Sequence, residues 1–297
     1  MNPDQEIRIA AFNWLSEKKA FYDDVFPRDI LAKGFEFKGE RIPLLGPQGI
    51  FKPRMMELPL SITTAPGGPY DDSFGQDNFL RYRYRGTNVF HRDNVGLHEA
   101  MIHNVPLVYF HGIVPGKYLA EWPVYIIGDD PGALTFKVAM DIMNFLPQPE
   151  DVLSDNDVAR RAYITSTIKV RLHQRSFREK VIHAYQSQCA FCRLRHVELL
   201  DAAHIIPDNE PDSRPTVDNG LSLCKIHHAA FDKYILGVSP DYYIKVRSDV
   251  LDENDGPMLV HGLKEMHNQR IIIPRKFELQ PNKEFLERRF EKFKKVG

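Results

Sequence analysis

LLDAAHIIP (199–207), followed after a polar loop by DNGLSLCKIHHAAFD (218–232), is the stretch that decides how this chain reads. The first piece is an apolar run ending at His204, as a short strand would. The loop between the two pieces carries two prolines and several acids. The second piece opens on Asn219-Gly220 and closes as a short helix bearing His227, His228 and Asp232. Taken singly these residues are ordinary. His204 alone reads as a core histidine, Asn219-Gly220 as a turn, and His228 with Asp232 as a pair one helical turn apart. Their order, and the metal-binding residue types interleaved with them, carry the reading.

All three cysteines of the chain fall between Cys189 and Cys224. An odd number cannot pair fully within one chain, which favours a metal site over a disulfide framework. Cys189-Ala-Phe-Cys192 is a CxxC and Cys224-Lys-Ile-His227 a CxxH. Three thiolates and one imidazole form a tetrahedral set suited to structural Zn(II). The i, i+3 spacing lets both members of each pair converge on one ion. His228, beside His227, is the alternative fourth ligand. A redox CxxC needs a βαβ context that is missing here, and simple core cysteines are the remaining alternative.

With these residues in place, the segment resembles the HNH endonucleases, the ββα-metal nucleases. The shared elements are His204 at the end of an apolar strand, Asn219-Gly220-Leu221, the helical His228, and the preceding FREKVIHAYQSQC (177–189), similar to the family's entry helix. The resemblance covers about residues 170–240 and implies a catalytic trio of His204, Asn219 and His228. Phosphodiester hydrolysis needs an activated water and charge neutralisation on phosphate oxygens. His204 would take the proton, because an imidazole titrates near neutral pH. Asn219 would fix the direction of that base, as the resemblance implies. His228 would hold a divalent ion, and Asp232 would add a carboxylate that favours Mg(II) or Mn(II). Many relatives carry an acidic or histidine ligand directly before the catalytic histidine, where this chain has Ala203. Asp201, on the same strand face, is the candidate substitute.

Outward from there, residues 1–147 are rich in short β-like runs punctuated by Gly and Pro: MELPLSITT (56–64), FLRYRYRG (79–86), VPLVYFHGI (105–113) and PVYIIGDD (123–130). They predict a mostly antiparallel curved sheet or barrel, interrupted by one helix near 93–103. GGPYDDSFGQDNFLRYRYRG (67–86) and HRDNVGLHEAMIHNVPLVYFHGI (91–113) resemble the SRA (PUA-like) domains, which bind modified cytosine by flipping it into a pocket. The resemblance spans about residues 40–140. It implies Tyr84 as an aromatic wall and Asp72 as the acceptor for the cytosine amino group. Tyr70 and Tyr82 are further wall candidates, Tyr70 being displaced one position from the family's Gly-Gly-Tyr. Flipping needs an aromatic face for the base and cations for the phosphates. Strict alternation puts Tyr82 and Tyr84 on one strand face and Arg81, Arg83 and Arg85 on the other. An ordinary sheet with one buried tyrosine face reads the same way.

Residues 148–175 read as a linker and connecting helix, and 176–297 as the nuclease domain, ending in a charged amphipathic helix from Asn282 that suits docking or a surface position. The fold expected is therefore α+β in two domains, a size that 297 residues accommodate. No run of about 18 apolar residues is present, and the N-terminus lacks the plan of a signal peptide, so a cytoplasmic protein is expected. The net charge of −1 makes the location of basic residues decisive. Arg171, Arg175 and Arg178 lie in one basic stretch that suits a DNA backbone, or a solvated helix face. The whole reads as a modification-dependent restriction endonuclease acting on double-stranded DNA with 5-methylcytosine or 5-hydroxymethylcytosine, as a homodimer for double-strand cleavage. A nuclease that reads unmodified sequence, or is blocked by modification, and a DNA-binding module with a decayed nuclease are the alternatives.

Overall fold

Two structural units divide the chain, Met1–Leu172 and His173–Gly297. The computed structural model describes residues 3–66, 79–140, 174–208, 210–254 and 256–296. Asp72, Tyr70, Arg171 and nearly all of the expected linker lie outside the described residues.

The first unit is a seven-stranded sheet with helices packed on it. Strands β4 (Ile50–Phe51), β5 (Ser61–Thr64), β7 (Leu107–Val114), β8 (Lys117–Asp130), β9 (Thr135–Met140) and β6 (Leu80–Arg83) follow one another across it, and β1 (Val25–Pro27) pairs with β8. Among the described residues the path stays open, with β4 and β6 at its ends, and the sheet is a curled half-barrel. Pairing is antiparallel except between β5 and β7, which run parallel. A crossover through β6 and α3 (Arg92–Ile102) separates those two in sequence, which makes a parallel pairing possible. β7 and β8 are joined at Pro115-Gly116, where Gly116 adopts φ +79°. Proline presets the first turn angle and glycine supplies the positive one.

Helix α1 (Pro3–Tyr22) is the longest element among the described residues of this unit, and no periodicity read from the sequence assigns it. Its buried apolar stripe is narrow, with Ile7, Ala11 and Leu15 four residues apart. They enter a core that includes Phe26, Leu31, Val108 and Phe110. A second core, on β6–β9 and α3, contains Tyr82, Tyr84, Leu97, Tyr109 and Phe136. The small hairpin β2 (Phe35–Phe37) and β3 (Glu40–Ile42), and the short helix α2 (Arg28–Lys33), complete the unit.

The second unit starts with helix α4 (174–184), whose Phe177, Val181 and Ile182 are buried, as the spacing predicts. An antiparallel pair follows: β10 (Leu200–His204) and β11 (Gly220–Cys224), with His204 opposite Gly220 and Asp201 opposite Leu223. Helix α5 (Lys225–Asp232) leaves β11 without a break. A hairpin of β12 (Leu236–Val238) and β13 (Ile244–Val246), short helices α6 (Ser248–Asp252) and α7 (Pro257–Gly262), and helix α8 (Lys283–Val296) surround this ββα unit. α8 is no surface appendage. Leu286, Arg289 and Phe293 are buried, and Phe293 packs so closely on Gly237 that a Cβ there would lie 2.7 Å from its ring.

Candidate functional site

Cys189, Cys192, Cys224 and His227 converge, with all four ligand atoms within 4.8 Å of one another. The chain turn after α4 supplies the first pair, and the junction of β11 with α5 supplies the second. His227 Nδ1 lies 3.5 Å from Cys189 Sγ and 3.2 Å from Cys224 Sγ. Its Nε2 sits 2.7 Å from the Gly262 carbonyl, which can accept only from a proton-bearing nitrogen. That contact fixes the tautomer and turns Nδ1 toward the sulfurs, as an outer partner does for a metal-bound imidazole. Burial opposes charge on His227, and the hydrogen bonds to Cys189 and Cys224 outweigh it, raising the imidazole to about 10. Between the two neighbouring histidines the structure decides: His227 belongs to this cluster and His228 does not. Cys3His is a complement able to hold a metal ion, and it fits here.

His204 ends β10, Asn219 precedes β11 and His228 lies on α5, close enough to His204 for its charge to be felt there. The His204 ring stacks on Phe177 of α4, with centroids 4.0 Å apart and planes 16° from parallel. Its Nε2 is buried without a hydrogen-bond partner among the described residues. Burial lowers its pKa below the ordinary imidazole value. Asn219, fully buried, holds the backbone just beyond His204. Its Oδ1 accepts from Ile206 N–H at 2.8 Å, and its Nδ2 donates to Ile206 O at 3.2 Å and Arg214 O at 3.0 Å. Both arms of the 205–219 loop are therefore tied to one side chain.

His228 lies between two carboxylates, one on each ring nitrogen. Asp201 Oδ2 is 3.5 Å from Nδ1, and Asp232 Oδ2 is 3.2 Å from Nε2. Asp201 and Asp232 together raise His228 to about 9 against the opposing effect of burial. Asp201 also accepts from Lys225 Nζ at 3.0 Å. Although burial opposes its ionisation, the contacts with His228 and Lys225 hold its carboxyl far below the usual range. Ala203 is fully buried, and the carboxylate that β10 brings to His228 is that of Asp201.

Residues 189–239 match the HNH endonuclease family. The C-terminal unit contains an HNH endonuclease domain. Such domains are metal-dependent DNA endonucleases. No curated protein matches the chain. Among solved structures, one titled a modification-dependent TagI restriction endonuclease is 14% identical, with 79% of this chain and 81% of that chain covered at a TM-score of 0.29. Another, titled the Type IV phosphorothioation-dependent restriction endonuclease ScoMcrA, is 16% identical, covering 57% of this chain and 49% of that one at a TM-score of 0.23.

The second unit contains packing that sequence reading passes over. Gly220, opposite His204, leaves room for α4: a Cβ there would stand 2.5 Å from Val181 Cγ2 and 2.9 Å from Phe177 Cζ. Arg289 of α8 reaches the backbone of both β10 and α5. No local motif marks it, because it lies more than 50 residues from either partner segment. Arg178, a candidate phosphate contact, donates to Leu200 O at 2.8 Å and pairs with Glu179 and Asp201, so its charge is engaged inside the HNH domain. Arg175, a second such candidate, is half-buried.

In the first unit, Tyr82 and Tyr84 share one face of β6 and its extension, and both are core side chains. Tyr84 stacks on Phe136 at 4.4 Å. Its hydroxyl donates to Asp129, whose other oxygen is 2.7 Å from His98 Nδ1. Burial and Asp129 both push the Tyr84 hydroxyl upward. The Tyr82 hydroxyl donates to Thr63 O at 3.3 Å. On the opposite face Arg83 is exposed, while Arg81 is half-buried and Arg85 pairs with Asp93. Among the described residues the two tyrosines are therefore packed in the core, and the Asp72 and Tyr70 candidates lie in 67–78, outside them.

Proposed function

We propose that this protein is a modification-dependent restriction endonuclease. Its N-terminal domain would read 5-methylcytosine or 5-hydroxymethylcytosine in double-stranded DNA by flipping the base, and its HNH site would hydrolyse a nearby phosphodiester. The SRA-like motifs of 67–113 and the cationic face of β6 support the first part. The single observation that carries the second is the His204 imidazole at the end of β10, half-buried, stacked on Phe177 and lowered in pKa by burial.

In this reading, neutral His204 accepts a proton from the attacking water as the new P–O bond forms and the P–O bond to the leaving oxygen breaks. Asn219 holds the 205–206 backbone so that the base keeps its direction. His228 Nε2 and Asp232 would hold the catalytic Mg(II) or Mn(II), since they face each other one helical turn apart. That ion, when bound, would neutralise charge on the scissile phosphate and its leaving oxygen. Asp201, on the opposite nitrogen, orients His228 rather than sharing the same ligand position. Zn(II) in the Cys189/Cys192/Cys224/His227 set would be structural. One HNH site cuts one strand, so double-strand cleavage calls for a homodimer.

The test compares cleavage of methylated and unmethylated copies of one plasmid with Mg(II) or Mn(II), by wild type and His204→Ala. Cutting of the methylated copy alone, lost in the variant, is expected. Equal cutting of both copies overturns the modification-dependent reading. Equal inertness of wild type and variant on every substrate leaves a DNA-binding module without catalysis.

A further inference from the structure

Arg289 is buried on helix α8, 57 residues beyond Asp232 in the chain, yet it touches both halves of the nuclease site. One terminal nitrogen donates to Ile205 O at 3.1 Å and His204 O at 3.4 Å. The other donates to Phe231 O at 2.9 Å and lies 3.6 Å from Asp232 Oδ1. The guanidinium lies over the Phe231 ring, 3.9 Å from its centroid. Its Nε is buried with no hydrogen-bond partner among the described residues. A buried cation with one unsatisfied donor is an expensive way to fill a core. An apolar side chain of the same length would pack there at lower cost. What such a chain cannot do is bind the carbonyls at the end of β10 and the end of α5 at once.

We propose that Arg289 is a positioning residue for catalysis, the clamp that fixes the end of β10, which carries His204, against the end of α5, which carries Asp232. This rests on the reading of His204 and Asp232 given above. The planar, forked guanidinium suits that role, because each terminal nitrogen serves one element and the spacing between them is rigid. Its charge also lies where α5 ends, so it binds a carbonyl of the last turn and favours the negative end of the helix. Asp232 is exposed enough to swing, with about half of its side-chain surface accessible. The 3.6 Å ion pair on its Oδ1 leaves Oδ2 facing His228. Helix α8 thus belongs to the catalytic unit although it lies outside the segment that matches the family, 189–239.

The experiment measures single-strand nicking of a methylated plasmid under saturating Mg(II) or Mn(II), with kcat and KM separated, for wild type, His204→Ala, Arg289→Met and Arg289→Lys. Zinc content and thermal unfolding are recorded for each. Arg289→Met is expected to keep stoichiometric zinc and substrate KM while kcat falls about 100-fold, the loss that follows a misplacement of about 1 Å among reacting groups. Arg289→Lys, with the charge but not the fork, should recover part of kcat. Wild-type kcat in Arg289→Met overturns the clamp. So does loss of the cooperative unfolding transition in both variants, which would make Arg289 a folding residue only. A wild type no more active than His204→Ala is a different failure: it removes the nuclease reading itself.

Discussion

His204 and His228, placed together in the proposed site, are tuned in opposite directions, and the tuning matches the work proposed for each. Burial against Phe177 favours the neutral form of His204. The two carboxylates around His228 favour a cation there, and a metal ion would take the place of the proton held at about 9. A general base is useful only while unprotonated. Because the His204 pKa is lowered, its base form persists further into acid than an ordinary imidazole would. The acid limb of kcat/KM for cleavage should therefore have its midpoint below 6.5, the ordinary imidazole value, and fall about tenfold per pH unit beneath it. A pH–rate profile at saturating metal measures this. A midpoint above 6.5 would show that His204 is not the base, or that it is not buried in the active form. Asn219 works at the same scale without titrating. It satisfies three backbone groups of the loop, and its complete burial makes those bonds count.

At the scale of elements, the site depends on how α4, β10, β11 and α5 meet. Gly220 is the closest point, with φ −131°, a value any residue adopts, so its requirement is space alone. Gly220→Ala would push into Val181 and Phe177, and overpacking of this kind costs about 1–3 kcal/mol. Phe177 is also the platform for His204, so nicking activity should fall along with the denaturation midpoint. Urea unfolding and a nicking assay on one preparation check both. A stable, inactive variant would place Gly220 in the chemistry, and an unchanged one would show that α4 yields. The strand ending at His204, the helix bearing His228 and the alternation of RYRYR were legible in the sequence because each rests on local spacing, whereas β11 followed only from the family resemblance. The position of α3 was legible too, within one residue. Helix α8 was legible as amphipathic, but not its burial, since its partners on β10, α5 and β12 are remote in sequence. α1 was hidden by the four-residue spacing of Ile7, Ala11 and Leu15, too thin a stripe to stand out. Arg289 was illegible for the same reason as α8: a clamp across distant segments leaves no local pattern.

For the whole molecule, each unit has a core of its own. Every member of the cluster around Phe177, Leu200, Leu223 and Phe231 belongs to the second unit, and the clusters around Phe26, Phe110, Tyr109 and Phe136 belong to the first. The second unit is built from short pieces: strands of three to five residues and, apart from α4 and α8, helices of eight or fewer. Its Cys3His cluster joins the turn after α4 to the start of α5 and would hold the proposed Zn(II). Structural zinc contributes roughly 10–16 kcal/mol of apparent binding free energy in small zinc-dependent folds, comparable to the roughly 5–15 kcal/mol total stability of an ordinary domain. Removal of that ion should therefore unfold the second unit as a whole. Circular dichroism during thermal unfolding should show two transitions in the metal-loaded protein. After treatment with a strong chelator, or in Cys224→Ser, one should remain, carrying the β-rich signal of the first unit. Added Zn(II) should restore the lost transition in the wild type, and Mg(II) should not, because thiolates select the softer ion. If both transitions survive with no zinc bound, the Cys189/Cys192/Cys224/His227 set is a packed core cluster. The second unit would then owe its stability to α4 and α8, the two longest helices around the site.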